Sequence, residues 1–405
     1  MSENFDVIIV GGGMVGAAIA CGLGHSALRI AVVEQQTPEL FDEEQPHDLR
    51  VSALSIATQN ILEGLGAWKG VASKRICPFR RMRVWETAGD TEFNSKDIGC
   101  SELGYIVENR VTQLALWERM REFDNIELFC PESIMRIDYQ SNAPSQVQLE
   151  NGRVLQARLL VAADGGNSKV RQAASIGVTG WDYGQHALVI YVKTAYEQQD
   201  ITWQRFVPTG PQAFLPLSGS FASLVWYNLP DEVKRLKALS NEALLNELIN
   251  TFPDCLGKIE SILGVASFPL KRLHAQRYVK PGVVLAGDAA HIINPLAGQG
   301  VNIGFLDAAA LIEVLLEAVR QGQDIADLKV LQRYESLRRK DNLTMMSVMD
   351  LFYRVFSNNK LPIRFFRNMG LGLAERIKPA KIKVMKMAMG LEGHLPKLAR
   401  GESVF

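Results

Sequence analysis

Apolar and polar positions along the first thirty-four residues repeat in a strand, helix, strand rhythm. Val7, Ile8, Ile9 and Val10 form a run of buried-strand character, three glycines from Gly11 to Gly13 break it, and small residues over 17–23 resume it as a helix. A second apolar run at 29–33 ends on Glu34. Residues 35–48 are polar and acidic with Pro38 and Pro46, the pattern of a surface loop, and 49–55 lead into a helix through Ile61, Leu62 and Leu65 that stops at Gly66. Residues 78–97 alternate through Met82, Val84 and Phe93 and are predicted to begin a second sheet, while 108–122 read as an amphipathic helix.

Short strands at 126–129, 133–139, 146–149 and 154–155 are predicted to form a meander. A buried strand at 159–163 follows, ends on Asp164-Gly165, and hands over to a helix opening at 167–171. Between 187 and 268 the period is two, interrupted by one helix at about 241–252; residues 282–291 return to the continuous apolar style of a parallel strand, and from 306 the chain reads as helices. The order predicts an α/β protein whose first domain (1–75, 104–180 and 271–345) is interrupted by a sheet-built substrate domain (76–103 and 181–270) and followed by a helical region (346–405).

At 405 residues the chain exceeds one typical core, which agrees with that division. Lysine plus arginine and aspartate plus glutamate both number 44, so no charge excess points to a nucleic acid partner. The 5 cysteines show neither metal-ligand nor redox-pair spacing, so reduced thiols and no metal are expected. The first strand begins close to Met1, read as leaving no room for a signal peptide, and no apolar stretch reaches the roughly 18 residues of a membrane span.

The chemistry sits at strand ends. Gly11 suits the tight turn, Gly13 lets backbone approach a pyrophosphate, and Gly16 lets helix and strand pack closely. The helix that follows turns its positive end to the phosphates, and Glu34 falls where a carboxylate would hold a free ribose 2′-hydroxyl. Asp164-Gly165 and Gly287-Asp288 end two further strands in the same manner. Ligands in open parallel sheets bind beyond the carboxyl ends of the strands, so the three turns can converge on one extended dinucleotide. Plainer roles exist for some of these residues: Asp288 as a helix N-cap, His291 as a positioned core histidine rather than a base, and Arg50 as a surface ion pair.

The three turns, with Asp48-Leu49-Arg50-Val51-Ser52-Ala53-Leu54, Trp203-Gln204-Arg205-Phe206, Gly210 to Leu217, Asn294-Pro295-Leu296-Ala297-Gly298-Gln299-Gly300-Val301-Asn302 and Asp350-Leu351-Phe352-Tyr353, carry a resemblance. Over nearly its whole length the sequence resembles the ubiquinone-biosynthesis hydroxylases, a branch of the p-hydroxybenzoate hydroxylase-like FAD monooxygenases. The resemblance implies a glutathione-reductase-type, Rossmann-like FAD-binding domain with an interleaved β-sheet substrate domain and C-terminal helices. It implies FAD as resident cofactor and NAD(P)H as a transient reductant, since the chain has no second glycine fingerprint.

By resemblance, Asp288 serves the ribityl and phosphate part of FAD, and Asp164 and Gly165 serve its pyrophosphate side and contact the nicotinamide nucleotide. Arg110 and Gln113 match positions on the flavin-facing helix, and Arg50 matches one beside the flavin. Pro295 to Gly300, Gly298 among them, form a loop poor in side chains against the flat ring, and the helix starting near Gly300, with Val301 and Asn302 also assigned to the cofactor, would stabilise negative charge on reduced flavin. Pro295, Gly298 and Arg50 are thus the residues nearest the chemistry, and no dedicated acid-base pair is needed. The implied reaction is reduction of FAD, oxygen addition at flavin C4a to give a hydroperoxide, and transfer of one oxygen to a polyprenyl methoxy-methyl-benzoquinol.

Beyond about residue 342 the tail bears on substrate. Met345, Val348, Met349, Phe352 and Phe356 are read as one helix face, and Arg354, Lys360, Arg364, Arg367, Arg376, Lys378, Lys381, Lys383 and Lys386 alternate with apolar residues. A basic amphipathic segment suits an anionic membrane surface, from which a polyprenyl quinol would be collected, though helices that cap the domain or join subunits fit the same pattern. The expected location is the inner face of the cytoplasmic membrane, with other ubiquinone-pathway proteins as neighbours and homo-oligomerisation left open. Competing substrates are an octaprenylphenol, a small phenol or an isoprenoid to be epoxidised, and the competing class is a flavin-free prenyl-binding protein.

Overall fold

The computed structural model describes residues 2–86, 89–253, 257–294, 300–356, 382, 385–386 and 389–405, with the side chains of 352–356 outside that set. Pro295, Gly298 and the basic positions from Lys360 to Lys383 therefore lie outside the described residues.

β1 (Ser2–Val10), α1 (Met14–Leu23) and β2 (Ile30–Val33) form the predicted opening unit, with Val7 opposite Ile30 in a parallel pair. β3 (Val51–Ser55) leads through α2 (Ile56–Gly64) and α3 (Trp68–Ala72) to β4 (Ile76–Phe79), β5 (Arg81–Trp85), β6 (Asp90–Asn94) and β7 (Gly104–Glu108). Ser55 caps α2, its hydroxyl accepting the Thr58 N–H, which is why the strand turns into a helix there. α4 (Asn109–Met120) follows, then β8 (Ile126–Phe129), β9 (Ile134–Asp138), β10 (Ser145–Leu149), β11 (Val154–Ala162) and α5 (Lys169–Ala173).

The second sheet is built from β12 (Val178–Thr194), β13 (Ile201–Val207), β14 (Gly210–Pro216) and β15 (Phe221–Asn228), then, after α6 (Pro230–Lys237) and α7 (Asn241–Thr251), from β16 (Ile259–Ala275). β17 (Val279–Lys280), β18 (Val283–Leu285), a turn at Gly287–Ala289, β19 (His291–Ile292), α8 (Gly300–Arg320) and α9 (Leu328–Phe356) complete the order.

Three sheets result among the described residues. The first runs β17-β18-β11-β1-β2-β8, parallel except at β17, with β10 antiparallel to β11 and β9 antiparallel to β10. Its strands are buried on both faces, with α1 and α8 packed on it, so Val7 to Val10 and Leu159 to Ala162 are almost wholly enclosed. The second runs β19-β16-β12-β15-β14-β13-β5-β6, and the third is the small antiparallel sheet β3-β7-β4.

Four details differ from the sequence reading. Residues 154–163, read as two strands, form the single strand β11, because half-exposed Gln156 and exposed Arg158 alternate with buried Leu155, Ala157 and Leu159 and so keep its period of two. β8 belongs to the parallel sheet beside β2 rather than to the meander. α6 was not foreseen, although Pro230 at its start, Asp231 and Glu232 in the first turn and Lys234, Arg235 and Lys237 in the last are ordinary helix-end signals. On α9, Met345, Val348 and Met349 lie on one side of the helix, but that side is only partly covered: Met345 and Met349 meet packed clusters whereas Val348 is 42% exposed.

The proposed bounds meet longer elements. β12 and β16 pair from Val178 opposite Ala275, past the 181–270 division, and α9 crosses residue 345. The chain end returns to the first core: Leu398, Ala399 and Val404 are buried, and the Asn60 amide donates to the Ala399 carbonyl at 3.0 Å.

Candidate active site

Three turns at the carboxyl end of the parallel sheet build one side of the site. Gly11 has φ +100°, and a Cβ there would lie 2.3 Å from the Ala163 carbonyl oxygen; at Gly16 it would lie 1.9 Å from the Gly11 oxygen. Gly13 differs, because a Cβ there would meet nothing within 4 Å. It is the N-cap of α1 and no side chain caps that helix, so free N–H groups face open space.

The intervening Gly12 peptide is clamped from both sides. Its N–H donates to Glu34 Oε2 at 2.7 Å, and its carbonyl accepts from Trp117 Nε1 at 2.7 Å and Gln113 Nε2 at 3.0 Å. Glu34 also accepts the Gln36 N–H at 2.9 Å, leaving lone pairs for a ribose hydroxyl. Trp117 escaped the sequence reading, although it lies four residues from Gln113 on the same face of α4.

At the second turn, Asp164 Oδ2 accepts the Lys169 N–H at 2.7 Å and the Val170 N–H at 3.3 Å, opening α5. Its Oδ1 is buried without a partner among the described residues, and burial raises the carboxyl pKa. Gly165 beside it has φ +75° and open space where a Cβ would be.

At the third turn Gly287 takes φ +58° and Asp288 opens into the cavity. The Asp288 side chain is accessible to cavity solvent yet surrounded by protein, which raises its pKa by desolvation against the field of His291. His291 does not face that cavity: it is 2% exposed, with Nε2 2.5 Å from Asp307 Oδ2. Asp307 also accepts the Gly287 N–H at 3.2 Å, Arg338 Nε at 2.9 Å and Asn342 Nδ2 at 2.9 Å. The geometry makes His291 a positioning residue of the turn, the plainer of its two roles.

A cavity of about 560 Å³ lies between these turns and the second sheet. Arg50, Asn109 and Asp288 line its polar end; Phe79, Met82, Phe93, Val189, Leu215 and Met349 line much of the rest. Arg50 is exposed within it and, among the described residues, is paired with no carboxylate. Arg110 is committed elsewhere, its Nε donating to Asp48 Oδ2 at 3.0 Å and its guanidinium to the Leu40 carbonyl at 3.2 Å. Gly300 and Val301 begin α8, and the Asn302 amide bridges to β3 and α2: Oδ1 accepts the Ser55 N–H at 2.9 Å and Nδ2 donates to the Ala53 carbonyl at 2.8 Å. An uncapped helix N-terminus over open space, an orphaned Asp164 oxygen and glycines that pack without a Cβ are what a long dinucleotide requires.

Known proteins agree with this geometry. Residues 4–347 match the family described as FAD binding domain. The chain is 43% identical to the 3-demethoxyubiquinol 3-hydroxylase of Escherichia coli over 391 residues, covering 96% of this chain and 100% of that one. It is 33% identical to the mitochondrial ubiquinone biosynthesis monooxygenase COQ6 of Danio rerio, covering 96% and 90%. Among solved structures, the p-nitrophenol 4-monooxygenase PnpA of Pseudomonas putida superposes with a TM-score of 0.79 at 20% identity, over 96% of this chain and 99% of that one, a likeness of fold.

Proposed function

The chain belongs to the FAD binding domain family of flavin monooxygenases, and from that premise we propose that it hydroxylates a polyprenyl methoxy-methyl-benzoquinol in ubiquinone biosynthesis. The observation that carries the proposal is the largely apolar 560 Å³ cavity running from Asp288 and Arg50 to the second sheet, beside turns shaped for a dinucleotide. The balanced reaction is ring C–H + O2 + NAD(P)H + H⁺ → ring C–OH + H2O + NAD(P)⁺. Bound FAD supplies two-electron reduction and oxygen activation.

The residues of the chain bind, orient and exclude water. The α1 N-terminus at Gly13 would take the pyrophosphate, Glu34 the adenosine ribose, and Asp288 the ribityl hydroxyls. Asp164 Oδ1 would accept from the nucleotide side. The α8 N-terminus beginning at Gly300, with the preceding Pro295 and Gly298, would lie against the ring, and Arg50 would lend positive charge at the cavity's polar end. Apolar walls keep water from the reacting groups, so that oxygen goes to the ring rather than to hydrogen peroxide.

No described helix is long and apolar enough to cross a membrane, so collection of a bilayer quinol falls to peripheral contact, for which the basic tail residues are the candidates. Product analysis after incubation with demethoxyubiquinol, NAD(P)H and O2 tests the proposal. A ring product heavier by one oxygen is expected, and absence of quinol-stimulated NAD(P)H oxidation in a flavin-loaded protein refutes it.

A further inference from the structure

Resting on that reading, we propose that Thr202, Gln204 and Ser223 are the side chains that recognise the oxygens of the substrate ring. All three line the cavity from one face of the second sheet. Alternation fixes that face: Phe214, Leu224 and Trp226 turn to the opposite side, where they pack with Leu236 of α6 and with Leu244 and Leu248 of α7. Gln204 pairs with Ala213, which pairs with Val225, so these share the cavity side, as do Leu215 and its partner Ser223.

The three are polar where the wall is otherwise apolar, and they are 6%, 8% and 2% exposed respectively. Among the described residues the hydroxyls of Thr202 and Ser223 have no hydrogen-bond partner, and each oxygen is itself closed to solvent beside the cavity wall. An unsatisfied buried hydroxyl is unfavourable, so two on one wall call for a ligand that completes them once rotation of each side chain turns its oxygen to the cavity. Valine has the shape of threonine, and alanine lacks only the serine oxygen, so apolar residues would fit both positions.

The spacing suits a ring oxygenated at both ends. Thr202 on β13 and Ser223 on β15 are separated by one strand, β14, which places them about 10 Å apart, and Leu215 stands between them. A para-dioxygenated ring with a hydrogen bond of about 2.8 Å at each end has a comparable span. Gln204 sits two residues along β13 from Thr202 and offers both a donor and an acceptor on the same side. A ring lying across Leu215 is thereby fixed in orientation, which decides which carbon is hydroxylated.

The test uses the flavin-loaded full chain and two probes: a methoxy-methyl-benzoquinol with one isoprene unit, and the same skeleton lacking both ring hydroxyls. Binding is read from perturbation of the bound flavin's visible spectrum, and peroxide formed per NAD(P)H is measured alongside. T202V and S223A are expected to keep wild-type flavin content, to hold Tm at or slightly above wild type because an unsatisfied hydroxyl is removed, to weaken quinol binding about 3- to 10-fold each, and to raise the peroxide fraction. Q204L should do the same, while binding of the deoxygenated probe stays within twofold of wild type in all three. Quinol affinity equal to wild type in the variants, or an equal loss for both probes, overturns this assignment alone. A wild type whose flavin spectrum ignores the quinol but responds to plain phenols overturns the proposed substrate and this assignment together.

Discussion

Gly13 and Gly16 stand one helical turn apart and exclude a side chain for opposite reasons. At Gly16 the obstacle is the protein itself, at 1.9 Å; at Gly13 it is the space a pyrophosphate would use. G16A is therefore expected to yield little folded protein, whereas G13A should fold with an unchanged apoprotein Tm, because Gly13 has the ordinary φ of −66°, and lose at least tenfold in FAD affinity. Flavin titration with calorimetry checks both, and a G13A protein that retains FAD as the wild type does would refute the pyrophosphate assignment. The glycines were legible because a buried strand, a glycine turn and a small-residue helix fall together in one short stretch at the fingerprint's spacing. Trp117 and Asp307 were not, since the groups they hold, Gly12 and Gly287, lie 105 and 20 residues away. Two buried histidines add a pH response. Desolvation, aided by Arg75 at His47 and by Arg339 at His274, pushes both down to about 4. Their pKa in the unfolded chain is near 6.5, so below that pH the unfolded state binds protons that the folded state refuses. Stability is thus complete above pH 6.5 and falls as the pH drops toward 4. Tm should decline between pH 6.5 and 5, and H274Q should flatten part of that decline; an unaltered slope would count against it.

Between elements, the Asp307 carboxylate is where α8, α9 and the Gly287–Ala289 turn meet. Burial would raise its pKa, but His291, Arg338 and Asn342 outweigh burial and hold it at about 2. The carboxylate is charged throughout the neutral range, and its contribution, present above about pH 4, is lost only as the pH falls through 2. If α8 faces the flavin ring as proposed, this one group ties that helix to the turn that carries Asp288. D307N leaves the 3%-exposed Arg338 without its counter-charge, and a loss of about 3–5 kcal/mol is expected in urea unfolding of the apoprotein. Unfolding at the wild-type midpoint would show that the cluster contributes nothing. The apolar run of α8 was readable from its period, and a lone acid inside it was the available hint. Its partners Arg338 and Asn342 could not be read, because side chains 31 and 35 residues apart meet only after two helices pack. β8 went astray for a similar reason: a four-residue strand carries no sign of which neighbour it will join.

For the whole molecule, the fate of the chain end decides how membrane contact can be tested. Leu398 and Val404 are buried against the first core, the Ala399 carbonyl is bonded to Asn60, and the Val404 carbonyl accepts from Arg320. Removing the tail therefore opens a cavity beside α2, and a truncated protein that fails to float with liposomes has lost packing as well as charge. Charge reversal separates the two. Arg364, Arg367, Lys378 and Lys381 lie in a stretch where acids are scarce, and each cation near an anionic bilayer contributes about 1 kcal/mol. The quadruple change of these residues to Glu should abolish flotation with anionic vesicles at low salt, while activity on a water-soluble one-isoprene quinol persists, because the described lining of the cavity comes from other residues. Activity on a full-length polyprenyl quinol in vesicles should then fall in step with binding. Flotation equal to that of the wild type would show that the basic stretch serves the fold or a partner subunit, and that substrate reaches the cavity without an electrostatic contact of this kind.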